Sequence, residues 1–302
     1  MTTPRRGMDH GLYPYTPIGT RPALRWPNGE RVAANVVLHF EYTELDPPKG
    51  AVRDARQGDP ISDLYPAYRP YTWREYGARV GVFRILALLD RLRLPVTVAT
   101  NTAACERYPA LLEEFLERGY EIAAHGTHAT RMINSTMSEA EERAVIAESL
   151  DTLEGVTGCR PVGWVGQDFG ESTHTPYLLA EAGLDYLMDW PNDDQPYLMT
   201  LGRPLVSIPI QAEWDDVHML WSRRVASARY PDLVHEALKT LCEEGQIAGR
   251  YFGLHVHPWL SGKAHRFVYF ERALERLAAT PGVRWASASE VARAYRATVT
   301  GR

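Results

Sequence analysis

The chain has few cysteines and no excess of basic residues. Its 302 residues include three cysteines, Cys105, Cys159 and Cys242, and none belongs to a Cys-x-x-Cys pair. An odd number of widely spaced cysteines argues against a disulfide framework and against a thiolate zinc site. Because the formal net charge is -5, neither a nucleic acid nor an anionic membrane is expected as the main partner.

Long apolar runs are also missing from the sequence. No segment approaches the ~20 residues that a membrane-spanning helix needs. The first residues, MTTPRRGMDHGLYPYTP, become polar and rich in proline and glycine where a secretory signal would become apolar. We therefore expect a cytoplasmic protein that does not act in or on a membrane.

Segments of strand character alternate with segments of helix character along most of the chain, which is typical of α/β proteins. The first strand, VAANVVLHF, is almost continuously apolar, as expected for a parallel strand covered on both faces. Further strands are predicted at residues 96–99, 120–124, 161–166, 184–190, 205–210, 251–257 and 283–287. Helices are predicted at residues 82–92, 111–116, 138–155, 175–182, 231–244 and 268–279, the third opening with a capping box. We predict an irregular N-terminal arm over residues 1–28 and one barrel-like domain over residues 29–302.

Polar side chains follow several of these predicted strands. Glu41 follows the first strand, His125 the third, the run Asn192-Asp193-Asp194 the fifth, and His257 closes a late strand. In parallel α/β barrels such positions meet at the carboxyl end of the sheet. A carboxylate, histidines and an aspartate pair are groups that activate water and protonate a leaving group, so these residues are candidates for hydrolytic catalysis.

Each candidate also has an ordinary structural explanation. Glu41 is equally compatible with a surface carboxylate, His125 with a hydrogen-bonded turn histidine, and the aspartates with turn formation. Of His255 and His257 we expect only one to face the site, namely His257. The proline-rich connection over residues 45–73 is expected to form a wall or lid of the site, or to be poorly ordered.

A metal site is a weaker hypothesis. His125 and His128 are three residues apart in a loop interrupted by Gly126, and Glu41 would have to supply the third ligand. Such a set would suit zinc or a similar divalent ion. The alternative is that the protein binds no metal.

The order of these motifs resembles that of the polysaccharide deacetylase family, especially its branch of metal-independent allantoinases and cyclic-imide hydrolases. The resemblance spans most of the chain and is carried by the following segments: RWPNGERVAANVVLHFEY, YGARVGVFRILALLDRLRLPVTV, ERGYEIAAHGTH, TGCRPVGWVG, DWPNDDQPY and LHVHPWLSG. It implies a distorted (β/α) barrel of about seven parallel strands.

The resemblance also implies hydrolysis of a carbon–nitrogen bond that is not a peptide bond. Glu41 takes the family's acidic position, His125 the first histidine of its H-x-x-x-H metal motif, and His257 its late catalytic histidine. The second motif histidine is replaced by Ala129, and Tyr42 stands where many deacetylases have a second carboxylate. Both departures weaken a metal site, so we expect no cofactor or a weakly held divalent metal.

The sequence leaves several functional hypotheses. The leading one is a hydrolase of a small intracellular amide, imide or ureide; the others are a metal-dependent deacetylase of polysaccharides or N-acetyl sugars and a non-catalytic ligand-binding barrel. Glu41, His125 and His257 are the expected catalytic residues. The expected substrate contacts are Tyr42, Trp164, Asn192, Asp193, Asp194 and Trp259. A homo-oligomer is also expected, because symmetric oligomers are common among soluble enzymes.

Overall fold

The computed structural model describes residues 8–51 and 68–300. Its strands are β1 Val32–Phe40, β2 Val96–Thr100, β3 Glu121–Ala124, β4 Gly163–Trp164, β5 Tyr186–Leu187, β6 Tyr197–Leu198, β7 Val206–Ser207, β8 Arg250–Val256 and β9 Val283–Trp285. Its α-helices are α1 Tyr68–Tyr76, α2 Val82–Leu92, α3 Thr102–Arg107, α4 Pro109–Glu117, α5 Glu139–Thr157, α6 Thr175–Glu181, α7 Tyr230–Glu244, α8 Pro258–Ser261, α9 Ala264–Ala278 and α10 Ala288–Thr300.

The strands form one curled, mostly parallel sheet in the order β6-β7-β5-β4-β3-β2-β1-β8, and β9 pairs with the beginning of β1. The distorted (β/α) barrel of about seven parallel strands is confirmed. The edge strand β6 was not predicted; it runs antiparallel to β7 and is only two residues long. A two-residue strand is too short to show the alternation of apolar and polar residues that predicts a strand from sequence.

The two faces of the sheet carry different side chains. Val36, Leu38 and Phe40 of β1 face the helices, whereas Val37 belongs to a second apolar cluster on the opposite, concave face. Because side chains alternate along a strand, His39 lies on the same face as Val37. The concave face therefore carries polar groups toward the carboxyl end of β1.

The capping box predicted at the start of α5 is present. The Ser138 hydroxyl accepts a hydrogen bond from the Glu141 amide, the Glu141 carboxylate accepts one from the Ser138 amide, and the helix ends at Gly158 in the left-handed region. These contacts satisfy amide and carbonyl groups that have no partner within the helix.

Hydrogen bonds from side chains link the two ends of the sheet. Among the described residues no strand ladder joins β8 to β6 or β7. Instead the Gln211 amide donates to the Tyr251 carbonyl at 2.9 Å and accepts from the Gly253 amide at 2.5 Å. Trp214 Nε1 also donates to the Gly253 carbonyl, at 3.0 Å. The Gln211 and Trp214 side chains thus complete the barrel beside the strand that carries His257.

The fold also bears on the expected absence of a membrane-spanning helix and on the expected wall or lid of the site. Within the described ranges no helix combines the length and the apolar character needed to cross a bilayer. The expected wall or lid over residues 45–73 falls largely outside the described residues, as do the first seven residues of the arm.

Candidate functional site

Glu41 and His125 meet at the carboxyl end of the sheet. Glu41 directly follows β1, His125 directly follows β3, and His125 Nε2 lies 3.2 Å from Glu41 Oε1. The other ring nitrogen, Nδ1, lies 2.6 Å from the Val165 carbonyl oxygen. Both nitrogens face hydrogen-bond acceptors, so His125 holds the Glu41 carboxylate in place and has no ring nitrogen left to polarise a substrate carbonyl.

His39 and His255 form a second hydrogen-bonded pair on the concave face. His39 Nε2 lies 3.0 Å from His255 Nδ1, and His39 Nδ1 lies 3.6 Å from Glu41 Oε1. The expectation that His255 faces away from the site is wrong. Residues two apart on a strand point to the same face, so His255 and His257 both point into the barrel.

His257 is oriented by a buried carboxylate. Asp216 Oδ1 lies 2.7 Å from His257 Nδ1, and Asp216 Oδ2 accepts hydrogen bonds from the His257 amide and the Ser261 hydroxyl. This arrangement fixes the tautomer of the ring and leaves Nε2 directed away from Asp216. The His257 ring also stacks on that of His39, with centroids 4.0 Å apart and 18° between the planes.

A small cavity lies among these groups. It has a volume of about 10 Å³, which is the space of about one water molecule, and is lined by His39, Glu41, Asp168, Phe169, Asp215, Val217 and His257. Asp168 and Phe169 have φ values of 48° and 61°. Left-handed non-glycine residues cost of order 1–3 kcal/mol each and are common at functional sites, where surrounding contacts hold them.

Neighbouring charges shift the pKa values of His257 and Glu41 in opposite directions. Burial lowers the pKa of His257, but the adjacent Asp216 carboxylate outweighs burial and raises the pKa to about 9. Burial raises the pKa of Glu41, but hydrogen bonds from His125 and His39 outweigh it and hold the pKa well below its ordinary range. The prediction that desolvation gives Glu41 a raised proton affinity is therefore wrong. At neutral pH Glu41 is ionised and His257 is protonated.

The predicted metal ligands do not converge on one point. His128 Nε2 is directed at Glu44, 3.8 Å from its Oε1, and its ring packs near Tyr42. Ala129, at the position of the second motif histidine, is buried. Glu41, His125 and His128 do not form a group of converging ligand atoms among the described residues.

Two other groups of ligand atoms lie within 4.8 Å of one another, His39-Glu41-His257 and Asp215-Asp216-His257. In the first, the two imidazoles are stacked. A metal ion bonds a ring nitrogen in the plane of its ring, and two stacked rings share no such position. In the second, both Asp216 oxygens already accept hydrogen bonds. These residues therefore do not fit a divalent metal, and no catalytic step is derived through one.

The expected substrate contacts fall in three places. Trp259 lies beside Glu41 in a crevice of the site, and Tyr42 packs between Tyr108 and His128 on the adjacent wall. Trp164 cannot contact a substrate as expected, because it is completely buried in the layer between the sheet and the helices. Its neighbour Val165 faces the concave side, so alternation turns Trp164 away.

Asn192, Asp193 and Asp194 do not approach the histidines, which contradicts the expectation that an aspartate of this run orients one. Asn192 donates to the Tyr13 hydroxyl, and Asp193 pairs with Arg21 at 2.5 Å. The Asp194 carbonyl accepts from the amide of Tyr251, near the start of β8 and far from His257. This run therefore fastens the N-terminal arm to the barrel.

Four residues of the site were not predicted from the sequence, namely His39, Asp168, Asp215 and Asp216, and a fifth, His255, was predicted to face away from it. Strand alternation could have found His39 on β1 and His255 on β8, because they lie two residues before Glu41 and two before His257. Asp215 and Asp216 precede a π-helical segment, Val217–Ser222, and no periodicity in the sequence relates them to β8.

Comparison with known proteins shows which family the chain resembles. The sequence model described as polysaccharide deacetylase matches residues 75–187. A peptidoglycan deacetylase from Helicobacter pylori is 24% identical over 250 residues, which are 72% of this chain and 84% of the relative. A structure described as a probable polysaccharide deacetylase from Pseudomonas aeruginosa is 26% identical, with a TM-score of 0.81, over 94% of this chain and 98% of that one.

The chain contains a polysaccharide deacetylase domain over residues 75–187. It is accordingly a hydrolase of carbon–nitrogen bonds other than peptide bonds. The structure of PuuE allantoinase is similar to the same extent: it is 26% identical with a TM-score of 0.82, and the match covers 95% of this chain and 98% of that one. This similarity agrees with the allantoinase-like branch of the family that the motifs indicated.

Proposed function

We propose that the protein hydrolyses a small amide, imide or ureide without a catalytic metal, using Glu41 as base and His257 as acid. One observation supports this proposal above the others. An ionised carboxylate and a protonated imidazole flank a cavity of about 10 Å³, the space of about one water molecule. The likeness to an allantoinase over nearly the whole chain also favours a small substrate.

The proposed reaction begins when water in the cavity attacks the carbonyl carbon. Glu41 accepts a proton from that water as the new carbon–oxygen bond forms. His257 Nε2 donates a proton to the nitrogen as the carbon–nitrogen bond breaks, and the amine leaves. The acid product then returns a proton to His257. From an amide, the proton on Glu41 passes to the amine, and the products are a carboxylate and an ammonium ion. From an imide or a ureide the nitrogen leaves as a neutral amide or urea group, and the proton on Glu41 passes to solvent water; in each case both residues return to their initial states.

The other residues of the site have supporting roles in this proposal. His125 holds the Glu41 carboxylate through its Nε2 contact at 3.2 Å. Asp216 keeps the proton on His257, and Trp259 and Tyr42 border the substrate. A cytoplasmic location and a homo-oligomeric assembly, both expected from the sequence, remain parts of the proposal.

The decisive experiment is a panel of amides, imides, ureides and N-acetylated sugars, assayed with and without a chelator. We expect turnover of a small substrate that the chelator does not reduce. Glu41→Gln and His257→Ala should each lower kcat about 10²-fold or more, which is the usual size of a general acid–base contribution. Glu44→Gln is the matched control, since Glu44 pairs with Arg131 outside the cavity.

The other outcomes separate the competing functions. Chelator-sensitive turnover of N-acetylated sugars alone would establish the metal-dependent deacetylase instead, as the peptidoglycan deacetylase relative suggests. Tight binding of a panel compound without turnover would establish a ligand-binding barrel.

A further inference from the structure

Asp189 is a buried carboxylate shortly after β5 that has no part in the reaction proposed above. Only 2% of the residue is exposed, and its Oδ1 accepts a hydrogen bond from the Gly166 amide at 2.5 Å. Its other oxygen, Oδ2, has no hydrogen-bond partner among the described residues. Most buried polar groups are hydrogen-bonded, and ionisable groups in unusual surroundings cluster at functional sites. The contacts of Asp189 are therefore examined for an effect on catalysis.

A single peptide group joins Asp189 to His125. The Gly166 amide, which binds Asp189, and the Val165 carbonyl, which binds His125, belong to the same peptide bond. Asp189 Oδ1 lies 2.5 Å from the nitrogen of this group, and His125 Nδ1 lies 2.6 Å from its oxygen. We call these two hydrogen bonds the peptide link. Because connected hydrogen bonds polarise one another, a negative charge on Asp189 makes the Val165 carbonyl a stronger acceptor for His125.

The His125 ring connects the peptide link to the catalytic carboxylate. The ring is completely buried, and its Nε2 lies 3.2 Å from Glu41 Oε1. Each ring nitrogen faces an oxygen atom, so each can hold its contact only by donating a proton. The hydrogen bond made by one ring nitrogen fixes the proton and the orientation of the other. A stronger acceptor at Nδ1 therefore strengthens the hold of Nε2 on Glu41.

The backbone around Gly166 keeps the peptide link in place. A Cβ atom on Gly166 would lie 2.9 Å from Asp189 Oδ1 and 2.8 Å from the Gly170 carbonyl oxygen. Glycine, which has no Cβ, lets the carboxylate approach the peptide group this closely. The Val165 amide donates to the carbonyl of Ala124, the residue before His125, at 2.9 Å. The peptide group is thus held between the carboxylate and the end of β3.

The neighbouring charges leave Asp189 ionised at a slightly alkaline pH. Burial raises the pKa of Asp189 to about 7, although the Gly166 amide and the His125 ring lower it. Burial and the charges of Asp189 and Glu142 raise the pKa of Glu171 to about 10. At pH ~8 Asp189 is therefore ionised and Glu171 is neutral. The charged or titratable groups that face Glu41, at the other end of the network, are His125, His39, His257 and Arg74.

We propose that Asp189 is a positioning residue for the catalytic base, because through the Val165–Gly166 peptide group it fixes the His125 ring that holds Glu41. This inference rests on the proposed function, in which Glu41 takes a proton from water. Asp189 is not among the described residues that line the catalytic cavity. Its replacement should therefore lower kcat and leave KM unchanged, since the binding of substrate before reaction does not involve it.

The kinetic test compares Asp189→Asn with the wild-type protein at pH ~8. Asparagine keeps an oxygen for the Gly166 amide and removes only the charge. We expect kcat to fall about 10-fold, as when a charge-assisted hydrogen bond becomes a neutral one, with KM unchanged. Urea denaturation should show no loss of stability, because a neutral amide is less costly to bury than a carboxylate. Asp185→Asn is the matched control, since Asp185 precedes the same strand and pairs with Arg296 while 43% exposed.

A spectroscopic test does not depend on turnover. NMR of the full chain with isotope-labelled histidine resolves the ring protons, and His125→Gln assigns the His125 signals by their loss. We expect both ring nitrogens of His125 to carry protons in the wild-type protein, with the Nδ1 proton signal shifted downfield by its hydrogen bond. This signal should move upfield in Asp189→Asn and stay in place in Asp185→Asn.

Several outcomes would overturn the inference. A wild-type His125 ring without a proton on Nδ1 would do so, and this measurement does not depend on the folding of any variant. So would an Asp189→Asn protein with the wild-type kcat, or one that loses kcat only in proportion to a loss of stability.

The two tests also separate this inference from the proposed function. If the His125 signal responds to Asp189→Asn but no compound of the panel is hydrolysed, the influence of Asp189 on His125 stands and the proposed function fails. Hydrolysis by a protein whose His125 signal does not respond to Asp189→Asn has the opposite meaning.

Discussion

At the scale of single residues, the pairing of His257 with Asp216 sets the pH dependence of the site. The acid must carry a proton to act, and Asp216 raises the pKa of His257 to about 9. The value of kcat/KM should therefore fall as the pH rises through about 9. In Asp216→Asn the attraction is lost while burial still lowers the pKa, so the same fall should occur below pH ~6.5.

The measurement is kcat/KM between pH 5 and pH 10 for both proteins, with Asp232→Asn as the control because Asp232 is in an exposed ion pair with Arg276. A basic limb that stays in place in Asp216→Asn would mean that another group is the acid. The same pKa shift also affects folding. Its stabilising effect is complete below the unfolded-state pKa of ~6.5 and is lost as the pH rises through about 9.

His255 is the residue for which the structure changes the expected mutational effect. The sequence alone predicts that His255→Ala costs much less turnover than His257→Ala, because it predicts that His255 faces away from the site. In the structure its Nδ1 is 3.0 Å from His39 Nε2, so its removal leaves a buried ring without its partner. We now predict a loss of about 10-fold in kcat, as expected for one buried hydrogen bond.

That loss should still be smaller than the loss in His257→Ala, because His255 is not expected to transfer a proton to the substrate. Steady-state kinetics of the two variants and of His265→Ala, an exposed control, provide the test. Wild-type turnover in His255→Ala would show that the His39 contact does not matter.

At the scale of secondary-structure elements, the close contact between the segment Gly77–Gly81 and the backbone after β8 positions the site. Gly81→Ala would place a methyl group 2.1 Å from the Pro258 carbonyl oxygen, next to His257. We expect destabilisation by about 2 kcal/mol, as for other overpacked positions, together with reduced turnover.

Gly155→Ala is the matched control for this substitution. Gly155 is exposed in α5, and no atom lies within 4 Å of a Cβ added there. Alanine should stabilise the helix by about 0.5–1 kcal/mol because it loses less backbone freedom than glycine on folding. Urea denaturation measures both effects, and equal stability changes in the two variants would show that the Gly81 contact is not tight.

At the scale of the whole molecule, Gln211 compensates for a missing strand ladder. Its amide group makes two hydrogen bonds to the backbone of β8. Gln211→Leu would leave the Gly253 amide and the Tyr251 carbonyl buried without these partners, at a cost of about 1–3 kcal/mol for each. We expect a fall in the free energy of unfolding of at least ~2 kcal/mol.

Gln246→Leu, an exposed change of the same kind, should alter the free energy of unfolding by less than ~0.5 kcal/mol. Hydrogen exchange would locate the effect: the Gly253 amide should lose protection in Gln211→Leu before amides of β2 do. Unchanged protection at Gly253 would mean that water or another group replaces the glutamine.

The order of strands and helices along the chain can be predicted from the local pattern of apolar residues. β1 was predicted over the residues it occupies, Val32–Phe40, because a strand covered on both faces is apolar throughout. Glu41, His125 and His257 could be chosen because each stands where an apolar run ends, and parallel strands bring such ends to one edge.

The partners of these residues were decided only by tertiary structure. Asp216 reaches His257 from a segment 41 residues away in sequence, and Asp193 binds Arg21 of the arm although it follows a strand like the other candidates. Strand-end position specifies an edge of the sheet, but the contacts of a loop side chain depend on how the loop folds. The pKa shift of Glu41 is opposite to the predicted one for the same reason. The local sequence predicts that Glu41 is buried, which raises its pKa, but tertiary packing brings in the histidines whose hydrogen bonds outweigh burial.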